Sequence, residues 1–307
     1  MVSPVEAGAL GEPEPPDAAL PKRTNLPAVI LWMTGTLLSF SVMAISVRQL
    51  GGALNLFEIL MVRSIGGLAI LLVVMTTRPQ LFKLLTLRRP GVHLIRNGSH
   101  FLSSLGWAHA IIVLPLATVF AIEFMMPVWA GLLAVFILGE RATPSRIGSV
   151  VLGFVGVLII LRPGIEAFQP AALIVLAASF GYAVSNIATK KLIPVQDTIA
   201  ILFWMNAMQV AMALIGTDPT FPLRLAPAQW TWIAGIAISG TAAHYCLTNA
   251  LRAGDAIVVI PLDFLRIPLI ALVGWLFYAE RIDLAVFVGA GVIVAGLIWN
   301  LHAEMRR

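Results

Sequence analysis

The sequence predicts an all-α integral membrane protein, with ten transmembrane helices arranged as two inverted five-helix repeats. Three observations predict this. Of 307 residues, 59% are hydrophobic and 11% charged, with a mean hydropathy of +0.94, where an ordinary soluble domain carries about 25% charged residues. The apolar residues gather in runs of about 20, the length that crosses a roughly 30 Å hydrocarbon layer at 1.5 Å rise per helical residue. The second half of the chain repeats the first at an offset of 140 residues. Barrel strands are excluded, because they need segments of roughly ten residues with alternating polarity.

Residues 1–25 are rich in proline and acid and lack a basic start followed by an apolar core, so they read as a disordered cytoplasmic tail and not as a cleaved signal. Runs bounded by charges, prolines and glycines then place spans near 26–47, 55–77, 92–113, 115–138, 144–162, 169–190, 197–216, 229–251, 256–279 and 284–302, with residues 303–307 as a second tail. If the N-terminus lies inside, thirteen Lys and Arg residues fall on the inner side and four (Arg48, Arg162, Arg224 and Arg281) on the outer side. That bias puts both termini in the cytoplasm and the chain in the cell's inner, or plasma, membrane. It also explains the net charge of +5 without nucleic acid as a partner; the expected partners are the bilayer and a small-molecule substrate.

The repeat aligns residues 26–164 with residues 165–302. Ser39-Phe40 meets Ser179-Phe180, Ser99 meets Ser239, Ala110 meets Ala250, Phe124 meets Phe264, Glu140-Arg141 meets Glu280-Arg281 and Gly156 meets Gly296. Five spans match five spans. Because five is odd, the second unit enters the membrane in the opposite direction, and the halves are related by an axis in the membrane plane. This is the plan of an alternating-access carrier with its site near the midplane.

The run RNGSHFLSSLGWAHAIIVLPLATVFAIEFMMPVWAGLLAVFILGER from Arg96 to Arg141, with Gly153, Gly156 and Leu161-Arg162-Pro163-Gly164 after it, resembles the EamA-type repeat of the drug/metabolite transporter superfamily. The half-motifs recur in the second unit, so the resemblance covers residues 26–302. It implies a secondary transporter of small metabolites. It is similar to YddG-type exporters of amino acids, aromatic ones included; other relatives carry vitamins or nucleotide-like compounds. The second unit departs from the pattern in lacking the terminal Arg-Pro-Gly and in placing Pro268 one residue later than Pro127 predicts.

Ionisable groups inside the bilayer cost about 2.5–3.5 kcal/mol each on insertion scales, so each needs a partner or an aqueous cavity. Glu123 lies about 12 Å into the fourth span, and Asp263 is equally deep in the ninth from the other side. Both therefore approach the midplane. Asp263 and Arg266 stand at i, i+3 and can neutralise each other, and Arg63 lies at the depth of Glu123 as its candidate charge partner. For a zwitterionic solute, Arg266 would be the carboxylate partner and Glu123 the ammonium partner, because charge-assisted hydrogen bonds are strong in a dry pocket. Glu123 can alternatively carry a proton, which keeps proton coupling open. Pro127 clashes with the carbonyl of Glu123 and Pro268 with that of Phe264, so both helices should bend beside their acids and serve as hinges.

In the third span Asn97, His100, Ser104 and Trp107 form a polar stripe. In the eighth, Thr241, His244, Tyr245 and Thr248 form another, and Tyr182 and Asn186 of the sixth span are further cavity candidates. Such stripes avoid lipid. Glu140-Arg141 and Glu280-Arg281 end their spans at opposite surfaces and read as gating elements. Spans five and ten hold glycines and almost no mid-span polar groups, which suits close packing, either as scaffold or as the contact of a homodimer if the protein is not a monomer. The sequence contains no Gly-Lys dipeptide, hence no Walker-type loop, and no His-Glu-x-x-His helix, and Cys246 is the single cysteine. No cofactor, metal or catalytic residue is therefore expected; a channel or a membrane-embedded enzyme remains the weaker reading.

Overall fold

A computed structural model describes residues 25–138, 144–161, 169–192, 195–253, 262, 265–281 and 283–306. Every regular element among them is helical, as eleven α-helices and two short 3₁₀ turns. The first half comprises α1 (Leu26–Leu50), α2 (Leu56–Thr77), α3 (Pro90–Val113), α4 (Leu116–Glu123), α5 (Met125–Leu138) and α6 (Pro144–Leu161). The second comprises α7 (Pro170–Leu192), α8 (Thr198–Ala213), α9 (Gln229–Ala253), α10 (Arg266–Tyr278) and α11 (Leu284–Met305). The fourth of the expected spans is divided, into α4 and α5; of the ninth, the described residues are 262 and 265 onward. Taken one at a time, α1, α2 and the Pro170–Thr189 part of α7 are long and apolar enough to cross a bilayer. Arg96 lowers the hydropathy of α3, and the break at Phe124 shortens both pieces of span four.

Local signals account for the helix ends. Asn25 accepts the Ala28 N–H at the start of α1. At α2, the Asn55 side chain accepts the Glu58 N–H while the Glu58 carboxylate accepts that of Asn55, a reciprocal capping box. Asp197 caps α8. The division of span four has an equally local cause: Pro127 has no N–H to offer the Glu123 carbonyl, and the helix is interrupted at Phe124, directly after the acid.

The principal helix pairs run between the halves. Helix α1 packs on α9 as its repeat mate α7 packs on α3, while α2 meets α8, α4 meets α10, and α6 meets α11. Exchanging the halves reproduces every one of these pairs, so the chain is two inverted five-helix repeats about a pseudo-two-fold axis. The apolar core runs through the middle of the bundle, with Val47 of α1, Ile111 of α3, Phe120 and Ile122 of α4, Val157 of α6, Ile270 of α10 and Ile293 of α11 among its buried members. The glycines of spans five and ten are used within the chain: a methyl group on Gly156 would lie 2.5 Å from the Gly289 carbonyl oxygen, and one on Gly289 equally close to that of Gly156.

Candidate functional site

Two adjoining clusters fill the middle of the bundle. The first is built on the break in span four. Ending α4 at Glu123 presents its carboxylate to the third and ninth spans, where Oε2 accepts the Trp107 indole N–H at 2.9 Å and Oε1 lies 3.7 Å from Arg266 Nη1. The Arg266 guanidinium covers the ring of Phe40 at 3.9 Å and lies 5.8 Å from that of Phe120, and Trp107 meets Phe120 edge to face. An acid and a base, each touching aromatic rings, thus sit at the junction of α1, α3, α4 and α10.

The second cluster continues down α3. Its buried face carries Arg96, Asn97, His100, Ser104 and Trp107, one stripe of a helix. His100 Nδ1 is 2.9 Å from Gln209 Nε2 and 3.3 Å from Ser104 Oγ; its ring packs against Tyr182 at 5.3 Å and His244 at 5.7 Å. The Tyr182 hydroxyl donates to Ser104 Oγ at 3.3 Å. Arg63, from α2, donates to Gln209 Oε1 at 2.8 Å and reaches Ser104 Oγ at 3.4 Å. Asn97 turns its amide to Met208 and the Trp204 carbonyl and accepts from Arg96. A void of about 10 Å³ lies between Arg63, Asn206, Gly240, Thr241 and His244, large enough for about one water molecule.

The structure therefore brings together Glu123, Arg266, Trp107, His100, Ser104, Tyr182, His244 and, one turn further along α3, Asn97. Arg63 joins this group through Gln209 and Ser104; among the described residues it forms no ion pair with Glu123, since α2 presents it to α8 and α9. Tyr245 stands apart, half exposed and edge-on to Trp32 of α1, and Asn186 is exposed against Met126. Asp263, Glu140 and Arg141 lie outside the described residues, and Pro127, Pro268 and Thr248 are placed only as members of their helices. Gln209 and Phe40 had not been singled out. A glutamine in the apolar run of α8 was a signal for the first; Phe40 had drawn notice only as a repeat match.

At one end of the bundle Arg48, Glu280 and the α3–α4 junction form a third group. Arg48 pairs with Glu280 and also donates to the carbonyls of Ile111 (2.7 Å) and Leu114. Glu280 accepts the Leu116 N–H, the first of α4, at 3.0 Å, a favourable place for a negative charge. The Arg48 guanidinium lies 4.7 Å above the Tyr278 ring. Ala279, in the left-handed region at φ 51°, ends α10 and turns Glu280 back over Gly274. Arg281 points away and is exposed.

The comparisons with known proteins agree with this architecture. The chain is 25% identical over 283 residues to the S-adenosylmethionine uptake transporter of Rickettsia prowazekii, covering 90% of this chain and 93% of that one. It is 30% identical over 227 residues to the riboflavin transporter of Rhizobium johnstonii, covering 71% and 72%, and 26% identical to the pseudopaline exporter CntI of Pseudomonas aeruginosa, covering 85% and 91%. A solved crystal structure superposes with a TM-score of 0.62 at 17% identity, over 89% of this chain and 95% of that one, a likeness of fold alone. The model of the EamA-like transporter family matches twice, over residues 27–162 and 169–301, one match to each half, and the chain belongs to that family, within the drug/metabolite transporter superfamily.

Proposed function

We propose that this membrane transporter moves small amphipathic metabolites by alternating access, and that its substrates are amino acids, aromatic ones included, or compounds built on an amino-acid group. The observation that carries the reading is the junction at Glu123: an acid held by Trp107 at 2.9 Å and by Arg266 at 3.7 Å, beside the rings of Phe40, Phe120 and Trp107. Glu123 Oε1 is the partner for an ammonium group, which can approach it more closely than the 3.7 Å of Arg266. The rings receive the apolar part of the solute. Export is the preferred direction, with both termini in the cytoplasm.

A second reading, a carrier of vitamins or other aromatic heterocycles, draws on the relatives named for S-adenosylmethionine and riboflavin. The same ring-lined junction suits it. Counterflow in sealed proteoliposomes separates the two. Saturable uptake of a labelled aromatic amino acid, accelerated by unlabelled amino acid on the other side, is the expected result. Acceleration by riboflavin alone would transfer the assignment to the second reading, and a leak that never saturates would remove the carrier mechanism.

A further inference from the structure

Among the described residues three arginines, Arg63, Arg96 and Arg266, lie well inside the bundle, and they differ in what neutralises them. Arg266 has Glu123. Arg63 and Arg96 form no ion pair with any carboxylate among the described residues: Arg63 is hydrogen-bonded to Gln209 and Ser104 and Arg96 to Thr189 and Asn97. Guanidinium groups stay charged in proteins, and a charge at this depth without a counter-ion is one of the rarest arrangements a membrane protein tolerates. Arg63 borders a small void, which it shares with Asn206, Thr241 and His244. Its stem lies against Gly240, where a methyl group would stand 3.1 Å from its Cγ; the absent side chain lets the guanidinium reach the void. Among the described residues, the hydrogen-bond partners of that guanidinium, Gln209 Oε1 and Ser104 Oγ, are neutral oxygens that a better acceptor can replace.

We propose that Arg63 is the anion-binding residue of the midplane site, and that the transported solute brings a carboxylate to it. The inference rests on the amino-acid reading above and sharpens it: the ammonium goes to Glu123 and the carboxylate to Arg63, while Arg266 remains with Glu123 and the Phe40 ring. A carboxylate matches the fork of a guanidinium with two parallel hydrogen bonds, which Gln209 Oε1 cannot do. Because the void measures only about 10 Å³, the group enters as α2, α8 and α9 separate, with Gln209 yielding its place.

Thermal unfolding of the purified full-length protein with three matched probes tests this: phenylalanine, phenylalanine methyl ester and 3-phenylpropanoate. The two carboxylates are expected to raise the wild-type unfolding temperature by a few degrees and the ester by clearly less, because it keeps the ammonium and the ring but not the carboxylate. Arg63→Gln should weaken the response to both carboxylates about tenfold or more, and Arg63→Lys should retain part of it, because the point charge survives without the fork. Stabilisation by the ester equal to that by the acid, or no wild-type response to either carboxylate, overturns the proposal. If Arg63→Gln does not fold, the wild-type comparison of acid and ester decides alone. Failure of the amino-acid reading looks different: 3-phenylpropanoate would still stabilise the protein through Arg63 while no amino acid is exchanged.

Discussion

Trp107 donates its indole N–H to Glu123 at 2.9 Å across the α3–α4 contact. Phenylalanine at position 107 keeps a ring and deletes that donor. Hydrogen bonds to charged groups contribute about 1.5–3 kcal/mol, so Trp107→Phe is expected to lower exchange in proteoliposomes by about tenfold with the folded yield preserved. Wild-type exchange rates in this variant would leave the indole with a packing role only.

Replacing the two acids expected at the midplane, Glu123 and Asp263, tests the site more directly. Glu123→Gln retains an acceptor for Trp107 while removing the charge opposite Arg266, and Asp263→Asn does the same to its repeat mate in sequence. Both are expected to reduce counterflow at least about tenfold, since each of these charges is costly at membrane depth. Detergent-purified yield and unfolding temperature provide the control. Normal transport by both variants would exclude these acids from the mechanism.

The Arg48–Glu280 pair holds three segments together at one end of the bundle, because Arg48 also bonds the Ile111 and Leu114 carbonyls and Glu280 the Leu116 N–H. A double-mutant cycle of Arg48→Gln and Glu280→Gln on unfolding free energy should give a coupling of about 0.5–3 kcal/mol. Zero coupling would mean that each side chain is held by the backbone groups alone.

How the latch is built leads to a narrower prediction. The Glu280 carboxylate rests on Gly274, where a methyl group would strike it. Gly274→Ala should therefore weaken the latch although alanine favours helices more than glycine does, by about 1 kcal/mol. A variant more stable than wild type by that amount would show that the carboxylate had room to move.

Close backbone approach makes the contact of α6 with α11 sensitive to single methyl groups. Gly156→Ala and Gly289→Ala each force a carbonyl away from a 2.5 Å approach, and overpacking of this kind costs about 1–3 kcal/mol. Thermal unfolding should show both losses. They should be less than additive in the double variant, since the first substitution already separates the helices.

Much of this was legible in the sequence because repetition and periodicity are geometric statements. Five spans matching five spans at an offset of 140 residues predicts inverted halves, and Asn97, His100, Ser104 and Trp107 lie on one helical face whatever surrounds them. Pro127 announced the break at Phe124. Relations between helices were not legible, since the rotation of α2 against α8 decides that Arg63 meets Gln209 and not Glu123. Arg48 was counted among loop cations for orientation because its position, two residues before the end of α1, says nothing of Glu280 some 230 residues on. Tyr245 looked equivalent to His244; one step of about 100° around α9 puts the two on different neighbours.

The brevity of α4 has a consequence of its own. Its eight residues carry Glu280 at their first amide and end on Glu123, so the Arg48–Glu280 latch and the Glu123 junction are two ends of one rod about 12 Å long. If the solute binds at Glu123 as proposed, the free energy it gains there is felt at the latch, and by linkage a change that loosens the latch alters solute affinity. A carrier built on the proposed site would register occupancy of its centre at its rim without a separate sensor.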